Sequence, residues 1–105
     1  MINTIATRTL LDQYVFEILL PDLVGHDKRP SAFLVYVYLW WRASGTRAKR
    51  VAVSHQQMAA ETGLSKSAVQ AAIKVLVRRK LLQSHHASRT AVPEYVVLRP
   101  WLRRA

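Results

Sequence analysis

Residues 54–82 read SHQQMAAETGLSKSAVQAAIKVLVRRKLL, and this stretch decides how the rest of the chain is read. It predicts a short helix, a tight turn at Gly63-Leu64 and a longer second helix. Ser54 opens an S-x-x-Q pattern with Gln57, in which hydroxyl and amide can satisfy each other's exposed backbone donors. Met58 and the small Ala59 give the first helix an inner side. Gly63 supplies a turn that a residue with a Cβ would resist. Ser65 is placed to cap the second helix, with Leu64 before it packing into the corner.

The second helix carries two chemically different faces. Val69, Ala72, Ile73 and Leu76 recur at helical spacing and form an apolar stripe. Ser67, Gln70, Ala71, Lys74 and Arg78 step by three or four along the opposite line. That line offers hydrogen-bond donors and positive charge around one small side chain, the surface a helix needs in a DNA major groove. By itself such a line is more often the face of an ordinary solvated helix; its place after a capped helix and a glycine turn reverses that preference in favour of the DNA reading.

MAAETGLSKSAVQAAIKVLVRRKLL resembles the helix-turn-helix of winged-helix bacterial transcription regulators, including the MarR-like and GntR-like families. Ala59, Gly63 and Val69 stand at that motif's small, glycine and β-branched positions. KLLQSHHASRTAVPEYVVLRP, which follows, resembles the two-stranded wing. The resemblance spans about half the chain, from near Val51 to Leu98. It departs at Lys80, where the family often has glycine, and in a wing without any glycine. It implies a mainly α fold with a small antiparallel β wing, and double-stranded DNA as partner. The candidate DNA-binding residues are Ser54, Gln56, Ser65, Lys66, Ser67, Gln70, Ala71, Lys74 and Arg78 from the motif. Arg89 and Thr90 join them from the wing tip, where a guanidinium and hydroxyls suit phosphate or the minor groove.

Working outward, 105 residues imply one domain: an N-terminal arm and helix over 1–30, a winged helix over 31–98 and a basic tail over 99–105. Sixteen basic residues against six acidic ones, a formal charge of +10, favour a polyanionic partner. The absence of cysteine excludes disulfides, thiol catalysis and cysteine-ligated zinc. The most apolar run, AFLVYVYLWW, is too short to span a membrane at ~20 residues, and the N-terminus lacks the pattern of a secretion signal. The expectation is a cytoplasmic protein with no membrane partner.

Upstream of the motif, Leu11, Tyr14, Val15, Ile18 and Leu19 predict a helix over Leu10–Leu20 that Pro21 should end. DLVGHDKRP reads as a loop. Residues 1–9 read as an extended arm. Ser31 is the expected N-cap of a helix reaching Ala43, apolar on every side and therefore in need of cover all round. SGTRAKR, residues 44–50, reads as a solvated linker or a phosphate contact, and Arg50–Val53 as a short strand pairing with the wing. Trp40, Trp41 and Trp101 read as packing anchors, and the arginines of the tail as solvated. The two apolar helices offer more surface than a small motif covers, which predicts a homodimer through Tyr14, Phe16, Leu20, Tyr38 and Trp41 and an inverted-repeat site with ~34 Å between recognition helices.

Catalysis finds no support: Asp12, Glu17, Asp22, Asp27, Glu61 and Glu94 form no spaced pair, and no phosphate loop or nucleophile elbow occurs. His85 and His86, with His55 or His26, invite a metal reading, but adjacent strand residues point to opposite faces and chelate together poorly. No cofactor or metal is expected. Three binding functions stay open: a transcription regulator, a winged-helix module of a replication or mobile-element protein, and a winged helix used for protein or RNA contact. No residue marks a small-molecule effector.

Overall fold

A computed structural model of the chain describes residues 8–46 and 48–102. Residues 1–7 of the expected arm, Arg47 of the basic linker, and Arg103 to Ala105 of the tail lie outside the described residues.

The order of elements is that of a winged helix-turn-helix. Helix α1 spans Pro30–Ala43, strand β1 Arg50–Ala52, helix α2 His55–Thr62, helix α3 Lys66–Arg78, and strands β2 and β3 Leu82–His85 and Glu94–Val97. The sheet is antiparallel with β3 between β1 and β2. Val51 pairs with Tyr95, and Leu82 with Val97. Tyr95 and Val97 are buried while Val96 and Leu98 are less so, the period-two alternation of a half-buried strand.

The local chemistry of the motif is that of its sequence. Ser54 Oγ accepts from Gln57 N–H at 3.0 Å, and Ser65 Oγ from Ala68 N–H at 3.1 Å, so each helix begins on a serine cap. The reciprocal half of the first cap is replaced: the Gln57 amide donates to Glu61 at 3.2 Å, one turn along. Gly63 ends α2 at φ +82°. Helix α3 closes in a Schellman turn, with Lys80 N–H bonded to Val77 O at 3.0 Å and Leu81 N–H to Leu76 O at 2.9 Å. Lys80 occupies the left-handed position at φ +61°.

Before α1 the structure corrects the sequence expectation. Pro21 does not end the first helix. Helical backbone runs from 13 to 26, as two wide π-helical segments, Val15–Leu19 and Pro21–His26. Pro21 opens the second segment inside this continuous run, where it leaves one bond to the preceding turn unmade. Leu20 N–H reaches back to Val15 O, and Asp27 N–H to Asp22 O at 2.8 Å, the i→i+5 pattern. Widening the helix brings Val15, Leu19 and Leu23, four residues apart, onto one side, where all three are buried. Most of the expected loop DLVGHDKRP is therefore helical. Ser31 is not the cap of α1 either: Pro30 is its first residue and Arg29 precedes it without a side-chain cap.

The core joins these elements. Ala32, Val35, Tyr36, Leu39, Trp40 and Ala43 of α1 are buried together with Val69, Ala72 and Leu76 of α3 and with Tyr95 and Val97 of β3. Tyr36 donates to Leu98 O at 2.7 Å, and Trp40 Nε1 to Leu10 O at 2.7 Å, which satisfies the polar ends of two large buried rings. Trp101 packs back as expected, stacked on Tyr14 with centroids 4.4 Å apart and donating to Asp12 at 2.9 Å. Arg99 is not solvated as expected: it lies over Trp40 at 5.3 Å and reaches Asp12 at 3.5 Å. Trp41, expected to be an anchor, is 52% exposed. Among the described residues no helix is long and apolar enough to cross a membrane.

Candidate nucleic-acid interface

Helix α3 is held by its buried stripe of Val69, Ala72, Ile73, Val75 and Leu76. That leaves Ser67, Gln70, Ala71, Lys74 and Arg78 exposed along the other side. Its first turn opens onto a groove of about 290 Å³ formed with the start of α2 and the wing. The groove is lined by Ser54, Gln56, Lys66, Gln70 and Arg89 of the sequence-derived set, and by His55, His86, Ala91 and Pro93 besides. Residues from three separate parts of the chain thus face one concavity. Ser67, Ala71, Lys74 and Arg78 continue along the helix beyond it. Ser65 spends its hydroxyl on the cap and on Ser67 Oγ at 3.2 Å.

The wing tip turns without glycine. Ala91 N–H bonds to Ser88 O at 3.3 Å, and no described residue of the wing has positive φ, so a turn open to most residue types suffices. Arg89 and Thr90 occupy its two central positions, both exposed.

The distribution of charge leaves this surface positive. Of the six acidic residues, five pair with arginines elsewhere: Asp12 with Arg99, Asp22 and Asp27 with Arg79, Glu61 with Arg42, and Glu94 with Arg50. Glu17 accepts from Gln13 at 2.6 Å. Among the described residues, Lys66, Lys74, Arg78 and Arg89 have no acidic partner. The acids tie elements of the fold together and leave the α3–wing face uncompensated, so its positive potential is available to an external polyanion.

His55 is the residue that sequence reasoning placed only in a rejected metal set. Its Nε2 lies 3.0 Å from the Tyr95 hydroxyl. Partial burial holds it below the usual imidazole range, and the charges of Lys66 and His86 add to the effect. Tyr95, pushed up to about 12 by burial, keeps its proton. The available signal was position: His55 directly follows the capping Ser54.

The second cluster is acidic and lies elsewhere. Asp22, His26 and Asp27 come close enough to suggest a cation site, but Arg79 already bonds both carboxylates. A hydrogen bond from His26, with the charge of Arg79, holds the Asp27 carboxyl below its usual value. Tyr38, expected on a dimer face, is buried within the chain; its hydroxyl donates to Glu61 at 2.6 Å and accepts from Arg42 at 2.7 Å. Tyr14 is partly occupied by Trp101, whereas Phe16, Leu20 and Trp41 stay exposed, joined by Ile18 and Leu34.

Compared with known sequence families, residues 26–82 match the model of a family described as a helix-turn-helix domain. Searches of curated proteins and of solved structures returned no match.

Proposed function

The chain belongs to the helix-turn-helix domain family, a non-catalytic fold class associated with DNA binding, and from that premise we propose that it binds double-stranded DNA sequence-specifically and serves as a cytoplasmic transcription regulator of the bacterial type. The observation that carries this reading is the uncompensated line on α3, Gln70, Lys74 and Arg78, continuous with a groove that ends at Arg89 of the wing. In this reading α3 enters the major groove and presents Gln70 and Lys74 to base edges. Arg78, Lys66 and the α2 start meet phosphates, and the wing tip meets backbone or minor groove.

The exposed Phe16, Ile18, Leu20, Leu34 and Trp41 support a homodimer through the N-terminal helix and α1. Burying such side chains in a symmetric contact removes apolar surface from water and repeats the reading head on a second half-site.

Selection of bound sequences from a random duplex pool tests the proposal. A defined consensus arranged as an inverted repeat is the expected result. Equal recovery of all sequences would overturn the sequence-specific reading. Preference for structured RNA over any duplex would leave a winged helix turned to RNA. Unwinding of a duplex carrying the consensus would move the role from transcription to replication.

A further inference from the structure

Three non-glycine residues in the described chain have positive φ, and all three are lysines: Lys28 at +55°, Lys49 at +54° and Lys80 at +61°. A Cβ is unfavourable in this region, and glycine is the residue that adopts it without strain. Two of the three, Lys28 and Lys80, directly follow residues joined by one ion pair. Arg79 bonds Asp22 and Asp27, which fastens the end of the wide N-terminal helix to the end of α3. Lys28 follows Asp27, and Lys80 follows Arg79, so each lysine is one residue along from a member of the same ion pair. Arg29 N–H bonds to Leu23 O at 2.7 Å, which holds the 28–29 segment against that helix. Lys28, Arg29 and Lys80 are all exposed, and none has an acidic partner among the described residues; Asp22 and Asp27 are taken by Arg79.

Lys80 lies two residues beyond Arg78, the last cation of the α3 line. We propose that Lys28, Arg29 and Lys80 form a second phosphate contact, engaging the DNA backbone on the flank beyond the bases read by α3. The proposal rests on the DNA-binding reading above and extends its footprint past the C-terminal end of the recognition helix. The Arg79 clamp is the positioning device: it neutralises the local acids and carries cations from two distant parts of the chain to one place. A polyanion with regularly spaced charges suits three cations displayed without a pocket, since counterion release, not shape, then supplies the affinity.

Glycine substitution offers a test that separates fold from charge. Lys28→Gly with Lys80→Gly removes two cations and relieves the backbone at both positions. The urea midpoint should therefore hold. On a long duplex carrying the selected site, the slope of log affinity against log salt should become shallower by about 0.9 for each lysine lost. Arg29→Ala should add a step of the same size. Lys28→Gln with Lys80→Gln, which keeps the strain but not the charge, should repeat the change in slope. On a duplex cut short at that flank the parent should lose the slope of all three cations, the double variants only the Arg29 step, and the triple variant nothing more. A double variant with the parent's slope on the long duplex would overturn the contact, as would an equal change on both duplexes, which would mean that net charge alone had acted. Failure of the underlying reading looks different: the parent would show no preference for any duplex, Lys74→Ala would be without effect, and the second contact would fall with it.

Discussion

Gln70 and Lys74 stand one helical turn apart on the exposed side of α3, and each has a base-edge chemistry: a carboxamide matches adenine bidentately and an ammonium reaches guanine O6 or N7. Gln70→Ala or Lys74→Ala should lower affinity for the selected site by ~1–3 kcal/mol while random-duplex affinity falls less. Titration of each variant against both duplexes checks this, and equal losses would assign them to phosphate. Arg89 sits in the wing turn, so Arg89→Ala should weaken all duplexes alike and reduce the salt slope by ~1. An unchanged slope would remove the wing from the interface. His55 adds a pH test. Its folded pKa is lowered from 6.5, so its contribution to stability is complete above 6.5 and is lost as pH falls through that value towards the lowered one. Lys66 and His86 oppose its charge, and Tyr95 holds its Nε2 side. An NMR titration should place its midpoint below 6.5 in the free protein and raise it on adding duplex, because a phosphate in the groove favours the imidazolium. A midpoint that ignores duplex would exclude phosphate from that groove.

At the scale of elements, the ends of the two motif helices are the parts most open to a stability test. Ser65→Ala removes the acceptor for Ala68 N–H and should cost about 1 kcal/mol in urea denaturation. Gly63→Ala places a Cβ at φ +82° and should cost ~1–2 kcal/mol although no atom crowds the site. Both caps were legible because a cap depends on three or four consecutive residues. The first helix was not. Pro21 reads locally as a terminator, and nothing in the neighbouring residues says that the turns will widen to carry Val15, Leu19 and Leu23 onto α1. Nor could local pattern separate helix from strand for AFLVYVYLWW, which is apolar on every side; its packing between α3, the first helix and β3 covers most of that surface and leaves Leu34 and Trp41 exposed.

For the whole molecule, assembly is the open quantity. Phe16, Ile18, Leu20, Leu34 and Trp41 keep apolar surface in water, while the intrachain burial of Tyr38 reduces the face available to a partner. Sedimentation equilibrium at micromolar concentration should give a species of twice the 12.0 kDa chain mass, and Trp41→Glu should return it to the monomer without unfolding it. A parent at 12.0 kDa that still protects two half-sites would show that DNA alone aligns the reading heads.

The helix-turn-helix, its two serine caps, the glycine turn, the exposed line from Ser67 to Arg78 and the alternating wing strand were all determined within the sequence. Each arises from hydrogen bonds and side-chain periodicity among residues close in the chain. The groove that gathers Ser54, His55, Gln70 and Arg89, the fate of Tyr38 and Arg99, and the Arg79 clamp on Asp22 and Asp27 were decided only in three dimensions. These pairings join residues separated by 23, 52, 57 or 87 positions. At such separations the chain sets no preference of its own, and packing of the core determines which charges meet.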